Sequence, residues 1–135
     1  MAILAIDWGT RHVGLAISYA GVYAKTLTTL RNNRSLLDNL KELTKEHEVS
    51  ELVVGLPKNE DGSEATVAKH ARRFANQLKK KLGLPLVFED EHLTSKEAVR
   101  LLQGKVAPSE PAIDAASAKL ILEQYLSNRN HKINK

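Results

Sequence analysis

Residues 5–14 read AIDWGTRHVG, and the placing of Asp7 in this stretch decides how the chain is understood. A nearly continuous apolar run, residues 2–8, ends in a carboxylate, as expected of a strand covered on both faces whose last residues emerge at a sheet edge. Gly9 to His12 is the turn, and Val13 to Ser18 is the returning strand. Gly21 marks a second turn, after which Tyr23 to Leu30 alternates as a half-exposed edge strand does. Three strands joined so tightly form an antiparallel meander.

Beyond residue 34 the period changes. Leu36, Leu37, Leu40 and Leu43 recur at helical spacing behind Ser35, an N-cap candidate. Residues 51–56, ELVVGL, form a short buried strand. Residues 64–82 are a second helix with Val67, Ala71, Phe74, Ala75, Leu78 and Leu82 on one stripe and Gly83 placed to end it. Its other face holds Arg72, Arg73 and Lys79 to Lys81. Leu86 to Glu89 is the fifth strand. Thr94-Ser95-Lys96-Glu97 fits a capping box, predicting a short helix from Ser95 to Gln103. A last helix starts at Pro111 and runs to Leu126. The second half alternates strand and helix, which requires parallel strands and right-handed crossovers. The expected fold is therefore α/β, a mixed five-stranded sheet with helices on both faces. Residues 1–127 form one domain and 128–135 a flexible basic tail.

Composition narrows the chemistry. A chain of 135 residues without cysteine has neither disulfides nor thiolate metal sites, and its five histidines include no i, i+4 pair to suggest zinc. No stretch is long and apolar enough for a membrane span or a signal-peptide core, so the protein is expected to be soluble and to make no membrane contact. Twenty Lys plus Arg against sixteen Asp plus Glu leave +4, a mild excess that permits a polyanionic partner.

In open α/β sheets, sites form outside the carboxyl ends of the parallel strands. Asp7 ends the first strand and Glu89-Asp90-Glu91 the fifth. If the fourth strand lies beside the first, Gly55 between them lets a ligand approach the backbone. Asp114 falls in the first turn of the last helix, in line with Ala118, Ile121 and Tyr125, so the stripe that faces the sheet carries it inward. Taken singly, Asp7 is a turn residue and Asp114 an acid at a helix dipole. Together they are carboxylates that repel one another unless a cation joins them. Oxygen ligands alone suit magnesium, with manganese as a substitute. Two such ions about 3.5–4 Å apart promote in-line phosphodiester cleavage.

Four stretches then stand out: D-W-G-T-R-x-x-G at 7–14, V-V-G-L-P-x-N-x-D-G at 53–62, D-E-x-L-T at 90–94 and D-x-A-S-A-x-x-I-L at 114–122. In order and spacing they resemble the YqgF family of ribonuclease H-like nucleases, over nearly the whole chain. The resemblance implies a ribonuclease H-like fold related to four-way junction resolvases. It also implies a cytoplasmic role in maturing the 5′ end of precursor 16S ribosomal RNA, with structured RNA as the partner and branched DNA the alternative. The family's metal-binding, catalytic acids match Asp7, Glu91 and Asp114, with Asp90 as a supporting neighbour; the residues alone leave the choice between Asp90 and Glu91 open. For nucleic-acid contact the candidates are Arg11, Lys58, Asn59 and Arg100. Trp8 stands where the family usually has proline and His92 where it has arginine, and the loop before the last helix, GKVAPSEPAI, is less basic than usual. Those departures bear on substrate affinity and keep a non-catalytic RNA-binding assembly factor as a rival reading. A resolvase needs paired cuts and hence a dimer; the chain is expected as a monomer or weak homodimer.

Overall fold

A computed structural model describes residues 1–59, 61–91 and 110–133. The expected helix from Ser95 to Gln103, His92 and Arg100 lie outside the described residues. The strands are β1 (Ala2–Asp7), β2 (His12–Ser18), β3 (Lys25–Arg31), β4 (Val49–Pro57) and β5 (Leu86–Glu91). The helices are α1 (Leu36–Glu46), α2 (Val67–Leu82) and α3 (Glu110–Ile133).

The five strands form one sheet in the order β3-β2-β1-β4-β5. β1 runs antiparallel to β2, and β2 to β3, whereas β4 runs parallel to both β1 and β5. This is the expected mixed sheet, with β1 at its centre and the ends of β1, β4 and β5 along one edge. Alternation along each strand divides the core. Leu4, Ile6, Val13, Leu15, Ile17, Leu52 and Val54 pack with Leu40, Phe74 and Leu78 of α1 and α2. On the other face Ile3, Ala5, Ala16 and Val53 meet Ala118, Ile121, Leu122 and Leu126 of α3. The α3 face is lined with small residues, so this helix lies close against the backbone of the sheet.

Local chemistry explains where the elements depart from expectation. Ser35 is the N-cap of α1 as expected, but its side chain makes no cap hydrogen bond; Asn33 Oδ1 accepts from the Ser35 amide at 2.9 Å instead. α2 begins at Val67 rather than Glu64 because Glu64 pairs as an isolated bridge with Lys58. Asn59 holds that loop shut, its amide nitrogen donating to Ser63 Oγ at 3.1 Å, and the Asp61-Gly62 turn sits at its tip, where Ser63 N donates to Asp61 Oδ1. Gly83 ends α2 with φ 67°, its N–H donating to the Lys79 carbonyl.

α3 does not stop at Leu126: residues 128–133, expected to fray as a tail, continue the helix. Its later turns dock through polar contacts and so carry no apolar period. Tyr125 donates to Glu51, Asn128 to Glu89, and Arg129 lies 3.5 Å from Glu51.

Candidate nuclease site

Asp7 closes β1, and its neighbours across the sheet have no side chains. Gly14 pairs with it from β2, and Gly55 follows Val54, the partner of Ile6, on β4. A Cβ built on Gly14 would stand 1.9 Å from the carbonyl oxygen of Asp114, so only glycine lets the start of α3 come this near. On the other side, a Cβ on Gly55 would meet Ile121 Cδ1 at 2.5 Å and Glu91 Oε2 at 3.4 Å. The space expected to admit a ligand is thus taken by α3 and by Glu91. Two glycines flanking one aspartate seat the helix that carries Asp114.

Strand alternation separates the acids at the end of β5. Glu91 lies on the α3 face, within hydrogen-bonding reach of Asp7. Asp90 points the other way, 52% exposed, with Lys58 Nζ 3.5 Å from its carboxylate. Lys58, itself 16% exposed, is also 3.8 Å from Glu64, so this cation is bound into the loop after β4. Glu64 is held in turn by Arg72, whose guanidinium lies over the Phe88 ring. Arg11 is exposed in the β1–β2 turn, where its carbonyl accepts from the Asn32 amide.

Asp7 feels both of the other acids. Burial first, then the charges of Glu91 and Asp114, hold the Asp7 carboxyl well above the usual carboxylate range. Burial also pushes Glu91 up to about 7, opposed by its hydrogen bond with Asp7. The Asp7–Glu91 pair therefore retains a proton near neutrality when nothing else balances its charge. Asp114 acts on Asp7 through its charge, and its own Oδ2 lies 3.9 Å from His12 Nδ1. His12 is a member the motif reading missed. A signal for it exists: His12, Gly14 and Ala16 alternate onto the same face of β2.

Among the described residues, no three Asp, Glu or His side chains form a finished metal cage. Magnesium does not require one. It typically takes one or two carboxylates and fills the rest of its octahedron with water and substrate phosphate. A half-buried, like-charged, oxygen-only pair backed by a third acid is a donor set that fits such an ion.

Sheet order and helix placement define the class: a ribonuclease H-like fold of the RuvC kind. The solved structure of Thermus thermophilus RuvC in complex with a Holliday junction substrate matches with TM-score 0.61 at 17% identity, over 97% of this chain and 96% of that one. The Fowlpox virus resolvase, solved with Holliday junction DNA, matches with TM-score 0.60 at 10% identity, over 95% and 98%. The chain belongs to the RuvX family, described as Holliday junction resolvase, which it matches over residues 1–128. Two relatives bear the name "Putative pre-16S rRNA nuclease". That of Thermoanaerobacter pseudethanolicus is 35% identical over 98% of this chain and all of its own length. That of Moorella thermoacetica is 41% identical over 93% and 94%. The family expected from the four motifs is the one found.

Proposed function

We propose that this chain is a magnesium-dependent nuclease that hydrolyses phosphodiester bonds in structured RNA, trimming the 5′ end of precursor 16S ribosomal RNA. The observation that carries the reading is the Asp7–Glu91 pair, repelling and proton-sharing at the edge of the sheet, with Asp114 held against it by Gly14. The names of the relatives supply the RNA.

When bound, the divalent ion supplies charge stabilisation at the phosphate and a nucleophilic water at neutral pH. Asp7 and Glu91 would hold it, losing their shared proton on binding, and Asp114 would complete the negative field from the second turn of α3. His12, with Nδ1 3.9 Å from Asp114 Oδ2, would help to position that acid. Arg11 contacts the nucleic-acid backbone beside the acids, Lys58 neutralises the Asp90 side of the edge, and Asn59 shapes the loop that presents Lys58. Asp90 thus supports the loop and is no ligand.

Purified protein should shorten a precursor 16S leader in magnesium but not in EDTA, and Asp7→Asn should abolish cutting. Undiminished cutting by that variant sinks the mechanism. The family description favours a second reading, cleavage of four-way DNA junctions, which requires a dimer to place two cuts. A synthetic junction on the same gel, with sedimentation of the protein, separates the two. No helix of the described residues is long and apolar enough to cross a membrane, and the proposed substrate places the enzyme in the cytoplasm.

A further inference from the structure

On the face opposite Asp7, at the same end of the sheet, a groove of about 320 Å³ opens between β1, the β3–α1 turn and α2. Trp8 forms one wall, half-buried, and stacks on the exposed His70 ring with centroids 5.8 Å apart and planes within 17°. Arg34 reaches in from the turn before α1 and Arg73 from α2. Neither arginine makes an ion pair among the described residues, in contrast to Arg72, the next residue along, which is tied to Glu64. Asn32 fixes the floor by donating to the Gly9 carbonyl at 2.8 Å. Among the described residues no aspartate or glutamate lines the groove.

We infer that this groove binds an unpaired nucleotide next to the cleavage position, its base extending the Trp8–His70 stack and its phosphates meeting Arg34 and Arg73. The inference rests on the nuclease reading of the Asp7 site. Trp8 follows Asp7 directly, so their Cα atoms are about 3.8 Å apart, and a strand crossing the sheet edge passes from the acids to the aromatic pair. Aromatic stacking accepts any base but needs a base free of its duplex partner. Two arginines without acid neighbours supply the phosphate contacts. Neither the pair nor the arginines were among the contacts expected from the motifs; Trp8 stood out only as a departure from the family's usual proline.

Trp8 is the chain's single tryptophan, so its fluorescence reports on this groove alone. The test titrates the full-length protein, in EDTA, with an unpaired RNA of about eight nucleotides, a length within known single-strand site sizes. Saturable quenching is expected, along with much weaker quenching by a blunt RNA duplex. His70→Ala should raise Kd by about fivefold or more, the low end for losing a stacking partner. Arg34→Ala with Arg73→Ala should flatten the salt dependence by about 0.7 in log–log slope per arginine. These side chains are exposed, so the variants should fold, and Lys79→Ala with Lys80→Ala, at the far end of α2, should change little. Absence of quenching, equal quenching by the duplex or by an acidic peptide of matched charge, or indifference to both arginines overturns the inference. Cleavage without quenching overturns the groove and spares the nuclease reading, whereas quenching without cleavage supports the groove and overturns that reading.

Discussion

Replacing Glu91 with glutamine should make the metal-free protein more stable at neutral pH while destroying its response to magnesium. Glu91 titrates at about 7 in the fold, against 4.5 for a free side chain, with burial the first cause. The folded state therefore holds a proton that the unfolded chain releases between those values. The Glu91 contribution to stability must fall as pH rises from 4.5 through 7 and then level off. At 1.36 kcal/mol per pH unit the difference is about 3 kcal/mol, trimmed to about 2 kcal/mol by solvent at this half-buried carboxylate. Glutamine keeps the shape and can donate to Asp7, so it escapes this penalty. Urea denaturation in EDTA should show the variant about 2 kcal/mol more stable than wild type at pH 8 and equal to it at pH 4.5. Magnesium at a hundredfold excess over Kd should return about 2.7 kcal/mol to the wild type and far less to the variant. Parallel stability curves across this pH range, or equal magnesium stabilisation of both proteins, would refute the electrostatic account of the site.

Gly14→Ala places a methyl group where the Asp114 carbonyl lies. It should cost at least the 1–3 kcal/mol typical of overpacking and lower cleavage further than the stability loss explains, as read by paired denaturation and activity assays. Asp90→Asn, on the opposite face, removes only a partner of Lys58. It should shift stability by less than about 1 kcal/mol and leave magnesium dependence unchanged; abolished metal response in calorimetry would return Asp90 to the ligand set. Leu122→Ala empties a wholly buried position on the sheet-facing side of α3. It should cost about 2–5 kcal/mol by thermal or chemical denaturation.

Sheet topology was legible because the information is local. Turns too short for a crossover force β1, β2 and β3 antiparallel, and the switch from period two to helical period announces the parallel half. Boundaries were less so where polar side chains set them. Glu64 looks like helix by pattern, but its bridge to Lys58 keeps it in the loop. Beyond Leu126 hydrophobic period vanishes, yet Glu51 and Glu89 anchor the last turns of α3 through Tyr125, Asn128 and Arg129. A pattern of apolar residues cannot register a helix seated by hydrogen bonds.

The acids themselves were legible as a set, but their division was not, because it depends on which face each side chain takes. Counting by two from the Pro57–Glu91 pairing puts Glu91 and Glu89 on one face and Asp90 on the other. That count requires the register of β4 and β5, a long-range property. The glycines carried a readable clue with an ambiguous meaning. Gly55 suggested an approaching ligand, whereas Gly14 and Gly55 together form a two-point seat for α3, on either side of Asp7. The arrangement of the three carboxylates therefore depends on the absence of two side chains as much as on the acids themselves. A helix moved outward by one methyl group would take Asp114 from the site with every acid still present in the sequence.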